Sequence, residues 1–198
     1  MDLADRWPLG THLDVRDALL AAYAEPDRHY HDQHHLAEVL ERLAELGCED
    51  DVVVLAAWFH DAVHDGAAGE EERSAAWAER VLPPDMAGEV GRLVRVTERH
   101  RPEADDERGQ LLSDADLAIL AAPPERYDDY VRIVRLEYAD VPDDDFARGR
   151  AVVLRDLLAK ENLFHTASAR ERWEDRARAN VTAELVTLTG TSGGAARS

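Results

Sequence analysis

Residues 52–63 read VVVLAAWFHDAV, an apolar run broken only by His60 and Asp61. The valines alone would suit a strand, but the length of the run and the lack of strand signals elsewhere favour a helix buried on every side at the centre of a bundle. Outward from it the chain is helical almost everywhere. Val15, Ala18, Leu19, Ala22 and Tyr23 form one apolar stripe, and Leu36, Val39, Leu40 and Leu43 a second. Tyr127, Tyr130, Val131, Val134 and Tyr138 form a third, and Trp173, Ala177, Val181, Leu185 and Leu188 a fourth. Proline and glycine clusters punctuate these stripes. Ser168 and Glu171 have capping-box spacing for the last helix. The expectation is an all-α, single-domain helical bundle of about eight to ten helices over residues 1–188, with a small, polar, disordered tail at 189–198.

Composition excludes several function classes. The 23 Lys and Arg against 42 Asp and Glu leave a formal charge of −19. A nucleic acid polymer is therefore an unsuitable partner, because its affinity rests on cations facing phosphates. A small phosphorylated substrate needs only one local cationic pocket and stays admissible. Cys48 is the only cysteine, which rules out an intrachain disulfide and a cysteine-based zinc site; it reads as a small residue at a helix end. No window is apolar enough for a membrane span, and the N-terminal MDLADRWPLG lacks a signal peptide's basic and apolar regions, so a cytoplasmic location is expected. The sequence is compatible with a homodimer.

An imidazole and a carboxylate inside an apolar helix are costly unless paired or bound to a metal. His31 and His35 are four apart and share a face if helical, continuing through Val39 and Leu43 toward the core. His34 continues through Glu38 and Arg42 and reads as solvated. Asp116 lies on the stripe Leu112, Ile119 and Leu120; Asp114 falls on a less apolar line and reads as a helix-start group or one that supports a ligand from behind. His35, His60, Asp61 and Asp116 thus form a buried set of two imidazoles and two carboxylates from three helices. Such a set calls for a divalent cation, and its ligand types admit Mn, Fe, Ni, Co, Zn or Mg.

The order His, His-Asp, Asp resembles the HD superfamily of metal-dependent phosphohydrolases. RHYHDQHH at 28–35 is similar to a segment of cyclic-nucleotide phosphodiesterases whose first His donates a proton and whose second binds metal. By position this implies His31 as acid and His35 as ligand. The Ala115–Asp116–Leu117 string resembles the segment bearing the last ligand. From 28 to 188 the chain is similar to a bacterial family of predicted metal-dependent HD phosphohydrolases, through RHYHDQHH, AAWFHDAVHD, EEERSA, TERH, DADLAIL, RLEY, Gly149-Arg150 and ARAN with Glu184. Two departures stand out. Asp32 replaces the usual Asn, and His64 stands where some relatives have Tyr and nucleotidase-type enzymes a catalytic Glu.

The resemblance implies hydrolysis of a small phosphate ester or anhydride, a nucleotide among the candidates. Asp61 would bind metal and orient the attacking water, and His31 would protonate the leaving oxygen. Arg28, His64 and His100 are candidate substrate contacts. Arg135, Glu137, Tyr138, Arg150, Arg178 and Asn180 read best as a structural network, and His12, His29 and His165 as surface or packing residues. Three alternatives remain: a non-catalytic nucleotide-binding or regulatory HD module, a purely structural metal site, and a zincin-like motif in His31-Asp32-x-x-His35.

Overall fold

The computed structural model describes residues 2–191. Among these there are nine α-helices and no strand: α1 (Leu13–Ala22), α2 (Gln33–Glu45), α3 (Asp51–Phe59), α4 (Glu70–Val81), α5 (Pro84–Val96), α6 (Glu107–Leu117), α7 (Pro124–Glu137), α8 (Asp143–Ala159) and α9 (Ala167–Thr191). Short 3-10 turns cover Leu3–Arg6 and Ala118–Ala121. The fold is all-α, as the periodicities require. The chain divides into two compact units, the first ending at Asp116 and the second beginning at Leu117. No helix among the described residues is long and apolar enough to cross a membrane.

In the first unit α3 is the central element. Asp50 caps it by accepting a hydrogen bond from the Val52 amide at 2.9 Å. Val53, Leu55, Ala56, Ala57, Trp58 and Phe59 are buried, and the helix packs against α2, α4 and α5. It ends at Phe59, so His60 and Asp61 are delivered at its C-terminal end. Helix α2 starts later than the His31/His35 spacing suggests. Asp32 is its N-cap, accepting from the amides of His34 at 2.8 Å and His35 at 3.1 Å. Asn and Asp cap about equally well, which accounts for the Asp32 departure. Helix α2 closes in a Schellman motif: Gly47 takes a positive φ of 76° and the Cys48 amide reaches Leu43 O. Cys48 sits at a helix end, as its sequence context predicts.

Helix α6 is anchored where it begins. Arg92 of α5 grips both oxygens of Asp106 at 2.7 and 2.9 Å, and Asp106 accepts from the Gly109 amide at 3.1 Å. A Cβ on Gly109 would run into the Asp106 carboxylate and come within 3.0 Å of Pro102 Cβ. This close approach fixes the position from which α6 carries Asp116.

In the second unit α9 packs on α8 and on the 3-10 turn. Its cap is Thr166, whose hydroxyl accepts from the Ala169 amide at 3.2 Å. The Ser168–Glu171 box is therefore two residues too late, because both residues lie inside the helix. Of the residues grouped as a structural network, Arg135, Arg150, Arg178 and Asn180 make bonds within the second unit. Glu184, 8% exposed, accepts from Tyr127 Oη at 2.5 Å and Arg150 Nε at 2.8 Å. Arg178 ties Glu174 to the carbonyls of Lys160 and Glu161, and Asn180 donates to the carbonyls of Leu120 and Ala122. Arg135 donates to the carbonyls of Tyr138 and Val141 and to Asp143. Pro142 leads into α8, whose first turn holds Asp143, Asp144 and Asp145. Helix α9 continues to Thr191, so residues 189–191 of the expected tail are helical; residues 192–198 lie outside the described residues.

Two glycine substitutions should move stability in opposite directions. Gly149→Ala in α8 meets nothing within 4 Å and should raise stability by about 0.5–1 kcal/mol through helix propensity. Gly109→Ala should cost about 1–3 kcal/mol by overpacking, lowering Tm by roughly 2–12 °C in thermal unfolding.

Candidate metal centre

Three elements of the first unit bring four donor groups together. His35 lies in the first turn of α2, His60 and Asp61 follow α3, and Asp116 lies in the last turn of α6. His35 is 3% exposed and His60 1%. The Nε2 atoms of the two imidazoles are 3.1 Å apart. Asp61 Oδ2 is 2.9 Å from His60 Nε2 and 3.3 Å from His35 Nε2. Asp116 Oδ1 is 3.3 Å from His35 Nε2 and 3.7 Å from His60 Nε2.

These separations suit a shared cation. Ligands ~2.1 Å from one ion lie ~3.0 Å apart at right angles and ~3.4 Å apart at tetrahedral angles. His35, His60 and Asp116 form a group whose ligand atoms could hold a metal ion, and Asp61 lies within the same range of both imidazoles. His60 is set up as a ligand by its other nitrogen. Nδ1 lies 2.7 Å from Ala57 O, to which it donates, and this leaves the Nε2 lone pair for the centre.

The segment carrying His60 and Asp61 is pinned from outside. The Asp61 amide donates to Tyr23 Oη at 3.2 Å. Arg28, buried at 7% exposure, donates to Asp61 O at 2.5 Å, Ala62 O at 2.9 Å, His31 O at 3.3 Å and Glu25 at 3.1 Å. Its guanidinium thus holds the ligand segment, and the residue also lines the cleft it shares with His64.

Electrostatics follow from burying these groups together. Burial alone would lower the pKa of His35, but bonds to Asp116 and Asp61 outweigh it and raise it to about 9. Burial opposes charge on His60 as well, yet the Asp61, Tyr23 and Asp116 charges hold its pKa well above the usual histidine range. Burial would raise both carboxyls; instead His60 and His31 hold Asp61 far below the usual range, and His60 and His35 hold Asp116 down. The cluster has the acidic oxygens and imidazole nitrogens of a cation site, with protons balancing the charge.

The other sequence candidates divide. His31 sits on the turn before α2, not on the helix, so the helical His pair required by a zincin-like motif is not formed. Its ring still packs 5.7 Å from that of His35 and 4.3 Å from that of His64. His64 lies beyond the end of α3, five residues after Phe59, so it shares no helical face with His60. It lines an open cleft of about 510 Å³ with Ala18, Ala22, Arg28 and Trp77, a size in the range of small-ligand pockets. His100 approaches Asp116 from the opposite side: Nε2 is 3.6 Å from Asp116 Oδ2 and Nδ1 is 3.2 Å from Ser113 Oγ. It holds a left-handed φ of 49°, so this geometry is kept against local backbone preference. His34 is exposed, as its helical line predicts. Asp114 is wholly buried within α6 and not at its start, a correction to its reading as a helix-start group. His29 is exposed, and His12 and His165 are half-buried.

Sequence reasoning missed Tyr23, Ser113 and Glu70. Tyr23 ends an apolar stripe and its hydroxyl gives no sequence signal. Glu70 belongs to the EEERSA string without an assigned role. Comparison of the chain with protein-family models, with curated proteins and with solved structures returns no match.

Two outcomes are expected. His60→Ala or Asp116→Asn should weaken Mn²⁺ or Zn²⁺ binding, measured by isothermal titration, by at least about 100-fold. In chelated protein, His35 keeps a proton up to about pH 9 against 6.5 in the unfolded chain. Its contribution to stability is complete below pH 6.5 and is lost as pH climbs to about 9. The depressed carboxyls contribute above the ordinary carboxylate pKa and lose this in acid. Metal must displace the His35 proton, so the metal-induced rise in Tm should grow between pH 6.5 and 9. An equal rise at both ends would contradict the arrangement.

Proposed function

We propose that the chain is a metal-dependent phosphohydrolase of HD type, acting on a small phosphate ester or anhydride, with nucleotides among the candidates. One observation carries this reading: two imidazole nitrogens, 3.1 Å apart, each lie 2.9–3.7 Å from both of two carboxylate oxygens, the four brought from three separate stretches of the chain into an apolar interior. Next to them stands a second pair of imidazoles, His31 and His64, that is not part of the donor set. A purely structural site has no use for that second pair.

His35, His60, Asp61 and Asp116 would hold the divalent cation. When bound, it supplies Lewis-acid polarisation of a phosphoryl oxygen and acidifies water. The protein's own groups do the rest. Asp61 orients the attacking water and takes its proton. Tyr23 and Arg28 keep Asp61 in register by holding its amide and carbonyl. His100, on the outer oxygen of Asp116, fixes the rotation of that carboxylate. The His31–His64 pair protonates the departing oxygen, a step worth about 10² to 10⁴-fold, which the family resemblance assigns to His31. The cleft beside His64 offers room for the organic part of an ester.

The test is release of phosphate from a panel of nucleotides and sugar phosphates in the presence of Mn²⁺ or Mg²⁺. At least one ester should turn over, and Asp61→Asn should abolish that turnover while the protein stays folded by circular dichroism. Tight metal binding with no turnover of any ester would favour the regulatory module. Unfolding on chelation alone would favour a structural ion.

A further inference from the structure

Glu70 opens α4 and is one of the acidic residues of EEERSA. Its two carboxylate oxygens do different jobs. Oε1 accepts from the amides of Asp65 at 2.6 Å and Gly66 at 2.5 Å, closing the loop after the ligand segment. Oε2 lies 3.0 Å from His64 Nδ1. Both side chains are largely withdrawn from solvent, His64 at 12% and Glu70 at 19% exposure. The His64 ring lies against His31 with 4.3 Å between centroids.

A carboxylate on Nδ1 of an imidazole fixes the ring's orientation and tautomer and favours its cationic form. The His31 ring is inclined at 40° to that of His64, and of these two neighbouring rings it is His64 whose Nδ1 meets the Glu70 carboxylate.

We propose that Glu70 is a positioning residue for leaving-group protonation and that His64, held by it, is the proton donor. This rests on the phosphohydrolase reading above and replaces His31 by His64 for that step. The P–O bond to the leaving group breaks with its electron pair moving to oxygen, which takes the proton from His64 Nε2. The attacking water forms the new P–O bond and gives a proton to Asp61, which passes it to solvent. His64 takes a proton back from solvent, so protons balance over the cycle.

Proton donation matters only when the leaving oxygen is basic, and this gives a readout that a structural role would not move. The protein is loaded with Mn²⁺ and assayed on two esters, p-nitrophenyl phosphate, whose leaving group needs no acid, and a simple alkyl phosphate, whose leaving group does. Glu70→Gln keeps an oxygen for the Asp65 and Gly66 amides but removes the charge from His64. It should lower kcat on the alkyl ester by about 10² to 10³-fold and on p-nitrophenyl phosphate by less than about threefold. His64→Ala should show the same split, with metal content unchanged in both variants, and the double variant should be no worse than His64→Ala alone. Equal losses on both esters, or no loss on either, would overturn the proposal and leave the hydrolase reading in place. So would the split appearing in His31→Ala and not in His64→Ala. A wild-type protein that holds Mn²⁺ and hydrolyses neither ester would overturn the proposal, and one that also hydrolyses no member of the nucleotide and sugar phosphate panel would overturn the hydrolase reading with it.

Discussion

The bond from His60 Nδ1 to Ala57 O, 2.7 Å long at the end of an almost wholly apolar helix, sets the terms for the rest of the first unit. It satisfies one ring nitrogen with backbone that the helix terminus leaves over. The other nitrogen is then left in an interior that cannot solvate it. Polar partners must come to it, since leaving an imidazole nitrogen unmet in such surroundings carries a heavy desolvation penalty. Asp61 comes from the same chain end, His35 from the opening turn of α2 and Asp116 from the closing turn of α6. Each sits at a helix terminus, where backbone groups are available to hold it.

The supports around these groups share one logic. Asp32 caps α2 through the His35 amide, Tyr23 holds the Asp61 amide, and Ser113 with His100 brackets Asp116. Arg28 is the strongest case. A buried guanidinium would be costly by itself, and here backbone carbonyls and Glu25 take its donors, so its burial serves to fix the stretch of backbone that bears Asp61. A cation at the donor cluster would be held by side chains whose freedom is already restricted before it arrives.

Much of this is legible from residue spacing. The apolar run at 52–63 announces a central helix because no partly exposed helix could be apolar on every side, and Asp116 stands on a core-facing line because its neighbours at helical spacing are leucine and isoleucine. The failures share a cause. Counting residues puts His31 on a helical face with His35, whereas α2 begins only after Asp32. Periodicity does not say where a helix ends; caps do, and Asp32 and Thr166 are cap residues that the pattern of hydrophobicity hides. The charge of Arg28 gives no hint of the carbonyl oxygens it holds, because every residue carries one and no sequence distinguishes them.

The four donors precede residue 117, and so do Tyr23, Arg28, Asp32, His100 and Ser113, which steady them. All of this wiring therefore lies within one compact unit, on the amino-terminal side of residue 117.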